Sequence, residues 1–370
     1  MKKKTWILYL VVGLALVALI LYARHKINFN WSVFVQQLRL ANWSMIAIGV
    51  ACIWFGYVIR ALRWVLFLKP VQKIPLFSRP WFDVLSAQVI GFTGVALLGR
   101  PADLVRPYLV SKRIKLPLSS QVAAYVVERM FDLGAMALIF STFLFFAPDR
   151  TTLPHPELLR HIALIGLLGT LALAVLATII RISGAAVASG SQKVLCKLSE
   201  SLATSVSTKI LAFREGLDML ASLRDVASAL LLSLFMWGLI TLAYFVTIRA
   251  FVDSPPLHTI SLARCLVLMA AGMAASALQL PIIGWFTQIA VLAAAMQQLF
   301  GAAWEPALGC GALLLIVTFL SVIPIGLVWA RFDHVSLRKI SEESEGAGAH
   351  IEEQTGVEAL TAPEPIEPKS

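Results

Sequence analysis

Eight ionisable residues lie within or beside apolar segments of the first half of the chain: Arg60, Arg63, Arg100, Asp103, Arg106, Glu128, Arg129 and Asp132. Arg60 and Arg63 are spaced i,i+3. Arg100, Asp103 and Arg106 step by three, and Glu128 and Asp132 are spaced i,i+4 with Arg129 beside them. On helices these spacings place the members of each set on one face. Five cations meet three anions, so complete pairing leaves two guanidinium charges over. A planar guanidinium pairs bidentately with phosphate, and a polar, net-positive chamber open to the inner leaflet that captures a phosphate-bearing ligand is what the set leads one to expect. No catalytic residue, metal site or cofactor is expected. Cys52, Cys196, Cys265 and Cys310 form no CxxC pair, and no HExxH helix or clustered His–Asp set occurs.

The elements that must hold these charges are membrane helices. Of the 370 residues, 59% are hydrophobic and 14% charged; soluble domains carry roughly 25% charged residues, which argues against a soluble enzyme. Thr5–Tyr22, Trp43–Leu68, Ile162–Ile180, Val226–Ile248 and Ala307–Ala330 reach or approach the ~20 apolar residues that cross a bilayer. Leu116–Phe146 is a further long span. Two apolar stretches are instead broken: Phe82–Leu98 with Pro101–Val110, divided at Gly99–Arg100–Pro101, and Ala263–Gln279 with Ile282–Phe300, divided at Leu280–Pro281.

Lys2–Lys4, Lys69, Lys73, Lys112, Arg113 and Arg331 flank these segments in a pattern that places both termini in the cytoplasm. The expected fold is all-α and polytopic, with about six full spans and two re-entrant broken-helix hairpins. Two full spans are the alternative for the second pair. Residues 43–146 and 226–330 repeat the order span, broken pair, span in opposite senses, an inverted repeat of the kind that builds midplane binding sites in transporters. Between them, 181–224 reads as a basic cytoplasmic connector with one amphipathic helix around Val194–Leu220. Tyr57, Trp64 and Tyr108 read as interface anchors.

The net charge of +10 conceals a division. Residues 341–370 hold eight acids and one lysine, so the rest of the chain carries +17. Residues 1–335 therefore form the membrane domain, and 336–370 an acidic tail expected to be disordered. In a membrane protein the basic body points to anionic lipid rather than nucleic acid.

Three motifs in order, Arg60-x-x-Arg63-Trp64, Gly99-Arg100-Pro101-Ala102-Asp103-x-x-Arg106 and Glu128-Arg129-x-x-Asp132, resemble the lysylphosphatidylglycerol synthase transmembrane-region family. This is the flippase-like membrane half of the bacterial multiple peptide resistance factor. The resemblance spans most of 1–335. It implies an all-helical inverted repeat in the cell (inner) membrane that moves an anionic phospholipid or lipid-linked sugar between leaflets, with the eight residues above as substrate contacts. In the second hairpin it points to Pro281, Gly284 and Gln288, where the family has a Gly-rich turn followed by a glutamate. Gln288 departs from that pattern and removes the basis for a proton-linked role there. The soluble aminoacyl-transfer domain of two-part family members has no counterpart within these 370 residues. Two other functions remain open at this level: a membrane transferase on a polyprenyl-phosphate lipid with Glu128 or Asp132 as base, and a non-catalytic partner of a lipid-synthesis complex. Expected partners are the lipid, the membrane, and a second copy of the chain or a lipid-synthesis enzyme.

Overall fold

The computed structural model describes residues 30–146, 156–197, 199–218, 222–276, 283–337, 339–344 and 346. The expected span Thr5–Tyr22, the break at 277–282 and tail residues 347–370 lie outside them. The described chain is helical, with no strand among the described residues. Five helices are long and apolar enough to cross a membrane, or six if one bent pair is counted as a span. The protein is thus an all-α multi-pass membrane protein.

Local sequence sets where the helices start and stop. Helix α1 (Trp31–Leu40) begins where the Asn30 side chain accepts from the Ser32 and Val33 amides, and α2 (Trp43–Leu68) where Asn42 accepts from the Met45 amide. Both are N-caps that satisfy otherwise orphaned donors. Helix α3 (Arg79–Leu98) opens with Pro80 in its first turn and stops at Gly99, whose φ of 80° favours glycine. A 3-10 turn (Arg100–Leu104) then leads into α4 (Val105–Ile114). Ten residues rise about 15 Å, half a bilayer, so α4 is too short to cross. The break falls where the sequence placed it.

Helix α5 (Leu118–Phe146) is the expected long span. Helix α6 (Pro156–Leu195) is two helical segments joined across a kink at Ser183. The kink falls three residues beyond the span end expected at Ile180, and helix resumes after it. Residues 181–195 contain no proline, and two glycines among alanine and valine do not stop a helix already under way. The amphipathic element of the connector follows as α7 (Glu200–Asp218), folded back on α6 and touching α5.

The second half comprises α8 (Leu223–Arg249), α9 (Leu262–Ser276), α10 (Ile283–Phe300), α11 (Trp304–Thr318), a 3-10 turn (Leu320–Val322) and α12 (Ile323–Phe332). The sequence reads 307–330 as one span, whereas α11 and α12 meet at a 43° bend. Pro324 accounts for it. It lacks an amide proton, and its ring clashes with the carbonyl four residues earlier, at Leu320.

Packing follows the repeat. Helix α2 packs on α3, α3 on α4 and α4 on α5; α8 packs on α9, α9 on α10 and α10 on α11. Between halves, α2 meets α11 as α8 meets α5, and α3 meets α12 as α9 meets α5. The two leading helices lie against each other at the centre. Phe55, Arg63 and Lys69 on α2 meet Phe235, Ser233 and Asp225 on α8. One series ascends while the other descends, so the equivalent helices are antiparallel, as an inverted repeat requires.

Two apolar cores result. One gathers the start of α2 with α8–α11, including Ile53, Tyr244, Leu268, Met296 and Leu314. The other gathers the end of α2 with α3–α5, including Trp64, Phe67, Ile90, Leu109 and Val127. Residues 339–344 are helical and dock Ile340 into this second core, so ordered packing continues past the tail boundary expected at 336. The Glu343 carboxylate accepts from Tyr108 at 2.9 Å and pairs with Lys112 at 3.7 Å.

Helices α3 and α12 touch through Gly326, where an added Cβ would run into the side chain of Thr93. Gly326→Val is expected to destabilise the fold by about 1–3 kcal/mol through overpacking, read as a lower thermal midpoint of the detergent-solubilised protein.

Candidate functional site

Glu128 and Asp132 stand one helical turn apart on α5, on the face turned toward α2. Burying either carboxylate alone would be costly, since an unpaired charge at the middle of a membrane helix costs at least about 2.5–3.5 kcal/mol. Neither is alone. Arg63 on α2 bridges them, donating from Nη2 to Glu128 at 2.8 Å and from Nη1 to Asp132 at 2.7 Å. The same Nη1 donates to Ser233 Oγ on α8 at 2.6 Å. Arg60, one turn earlier, reaches Glu128 at 3.3 Å and Asp132 at 3.4 Å. From α4, Arg106 donates to the other Glu128 oxygen and to Gln88 Oε1 on α3, both at 3.0 Å. Arg129 lies 3.4 Å from Asp132 and 3.7 Å from Glu128.

The first hairpin is what brings Arg106 to this point. The turn at Gly99 returns the chain, and α4 re-enters beside α3 with Arg106 in its first turn. Gly91 on α3 makes room, since a Cβ there would overlap the Arg106 side chain.

Aromatic faces line the cations. The Arg106 guanidinium lies 4.4 Å from the Phe92 ring centroid, 5.1 Å from Tyr125 and 6.0 Å from Trp64. Arg60 lies over Phe92 at 4.8 Å and Arg129 over Tyr125 at 5.2 Å. Desolvated cation–π contacts of this kind contribute roughly 2 kcal/mol each. They are a means of holding positive charge without adding carboxylates.

Four guanidinium groups therefore share two carboxylates in the described cluster; the sequence count of five cations to three anions also included Arg100, whose side chain lies outside the described residues, and Asp103, which is in none of these pairs. The cluster's openness is not as expected. Arg63, Arg106 and Glu128 are each 1% exposed, so the centre is a packed knot rather than a chamber. Arg129, 39% exposed at the side chain, and Arg60, at 12%, form its accessible edge. The knot closes because the residues between its charges are large: Trp64, Phe92 and Tyr125 fill the space that a chamber would need.

Of the remaining predicted residues, Asp103 lies close enough to act electrostatically on Arg129 and Tyr125 at the cluster's edge. The Arg100 side chain and Pro281 lie outside the described residues. Asp103, in the 3-10 turn, makes no ion pair among the described residues. In the second hairpin Gly284 is partly exposed, and Gln288 lies with Thr318 beside the Tyr244 hydroxyl. Tyr57 and Trp64 are not interface anchors. Tyr57 packs on Phe92 at 5.3 Å, and buried Trp64 donates Nε1 to Gln121 at 3.0 Å.

Sequence reasoning missed Gln88, Ser233, Phe92 and Tyr125. Gln88 and Ser233 are single polar residues in apolar runs. The available signal was that a polar side chain inside a membrane helix requires a partner, but nothing in the spacing named which.

Fold and cluster together define a helical multi-pass membrane protein built of two halves around a buried, net-positive centre. The lysylphosphatidylglycerol synthase TM region family matches residues 6–338, and the chain belongs to that family. No curated protein and no solved structure matches it.

Because Glu128 touches four arginines, Glu128→Gln leaves them with Asp132 alone. Removing one member of a buried ionic network costs about 3–5 kcal/mol, and a loss of that order is expected in chemical unfolding. Adding Arg106→Met should restore part of it, which a double-mutant cycle would measure.

Proposed function

We propose that the chain moves an anionic phospholipid or lipid-linked sugar between leaflets of the cell (inner) membrane, with both termini in the cytoplasm. The reading is carried by one observation: four guanidinium groups crowd two carboxylates among membrane helices, leaving a positive surplus that a phosphate would neutralise. Arg60 and Arg129 make the first contact with the headgroup. The phosphate then neutralises the surplus at this edge while Arg63 and Arg106 stay on Glu128, so no buried carboxylate loses its partners.

Membership in the family and the antiparallel halves support this reading. An inverted pair of bundles can present one site alternately to either side by rocking of one half against the other. The transferase alternative draws less support, since Glu128 and Asp132 are both engaged by arginine donors rather than aimed at an open substrate position.

The test is reconstitution into vesicles with a fluorescent phosphatidylglycerol and an outer-leaflet quencher. Wild type should equilibrate the probe. Arg129→Gln and Arg60→Ala should each slow it by about tenfold or more, since a hydrogen bond to a charged group is worth ~1.5–3 kcal/mol. Arg129 also pairs with Asp132 and Glu128, so the melting temperature of each variant is measured beside its rate and only folded protein is compared. Unchanged rates in both variants would remove the proposal.

A further inference from the structure

A second feature lies on the other side of α2. Leu62, Val65, Leu66 and Lys69 follow the i,i+3,i+4,i+7 stripe of one helical face, away from Arg63. With Ser228 and Leu232 on α8 they line a groove of about 380 Å³ that also takes in Lys73. The walls are leucine and valine, and the cations stand at one end only.

That end is built. Lys69 Nζ is held by Asp225 at 2.8 Å, and Asp225 in turn accepts from Ser222 Oγ at 2.8 Å, at the start of α8. Lys73 is exposed and has no ion-pair partner among the described residues. Arg224 stands one turn below Ser228 on the same face of α8 and is exposed. Three cations meet one acid there, and the positive end of the α8 dipole adds to them. The lining on the two helices ends at Leu62 and Leu232, and beyond it on the same faces stands the edge-to-face pair of Phe55 and Phe235, 6.2 Å apart. From Phe55 to Lys69 the helix rises about 21 Å, against ~15 Å for the hydrocarbon of one leaflet. An acyl chain fits that length, with a phosphate at its charged end.

We propose that the groove between α2 and α8 is a binding site for an anionic phospholipid, with its phosphate on Lys69 and Lys73 and one acyl chain lying toward Phe55 and Phe235. The site is separate from the arginine cluster and does not rest on the transport reading. Helix α2 divides the two, with Arg63 facing one and Leu62 and Leu66 the other. Charge complementarity selects the headgroup: a zwitterionic lipid brings its own cation into an already positive rim.

The full chain would be reconstituted in phosphatidylcholine vesicles containing a trace of phospholipid with a diazirine in its acyl chain, bearing either a glycerol or a choline headgroup. After irradiation, labelled peptides are mapped. The glycerol probe should label 55–76 and 228–235 about five-fold or more above the choline probe, the selectivity expected of one lysine near a membrane surface. Lys73→Gln should lower that preference about five-fold, and Ser228→Trp, which fills the groove, should suppress labelling by both probes. Lys73 has no ion pair to break, so its variant tests the site even if Lys69→Gln fails to fold. Equal labelling by the two probes in wild type, or a preference undiminished in Lys73→Gln, would overturn the assignment. The flipping assay is read separately, so loss of groove labelling and loss of transport are distinguishable.

Discussion

Three helices converge on the Glu128 carboxylate, which accepts from Arg63 of α2 and Arg106 of α4 and lies within ion-pair distance of Arg60 and Arg129. Most of the first half is arranged so that this can happen. Helix α3, itself long and apolar enough to cross a membrane, must stop at Gly99 for Arg106 to arrive, it needs Gly91 beside Arg106, and α2 must place two arginines one turn apart. Remove the carboxylate and Arg106 of α4 loses its ion-pair partner, while Arg60 and Arg63 keep Asp132 as their one carboxylate and the apolar core, with Arg106 over Tyr125, is left to join α4 to α5. A buried salt bridge is poor evidence of stability by itself. One acid shared among four bases is better read as a device for keeping positive charge inside a membrane, where aromatic faces supply what further carboxylates would otherwise have to.

Among the described residues the second half repeats the helix order without a comparable cluster of guanidinium and carboxylate groups, its Arg264 on α9 lying over the Phe300 ring at 5.6 Å. Where the first half ends its buried network at Asp132, fifteenth residue of α5, the second places Thr318 at the fifteenth residue of α11. There the neutral side chains of Thr318 and Gln288 lie beside the Tyr244 hydroxyl. The halves thus share architecture and differ in electrostatics. Under the transport reading, a charged headgroup is gripped in one half and passes through uncharged polar surroundings in the other. Asymmetry of this kind is available to an inverted repeat because the two copies diverge in side chains while keeping their backbone packing.

How much of this was legible beforehand depended on the range of the interaction. Helix limits at Trp43–Leu68 and Gly99 could be read directly, since bilayer thickness and glycine backbone preferences act locally. The pairing of Arg60 and Arg63 with Glu128 and Asp132 was accessible from spacing and charge. The contributions of Gln88 and Ser233 were not, because each meets its arginine only through the tertiary crossing of α3 with α4 and of α2 with α8. The bend before Pro324 was signalled by its residue type yet hidden inside an unbroken apolar run. The chamber expected around the arginines was absent because aromatic volume cannot be located from sequence alone.

Helix α6 is longer than any bilayer is thick. At 1.5 Å per residue its 40 residues extend about 60 Å, twice the hydrocarbon layer of ~30 Å. Beyond the apolar stretch Pro156–Leu176 the chain kinks at Ser183 and resumes as a second helical segment to Leu195. Helix α7 lies against both α6 and α5, so the polar end of this long element is tied by packing to the helix that bears Glu128.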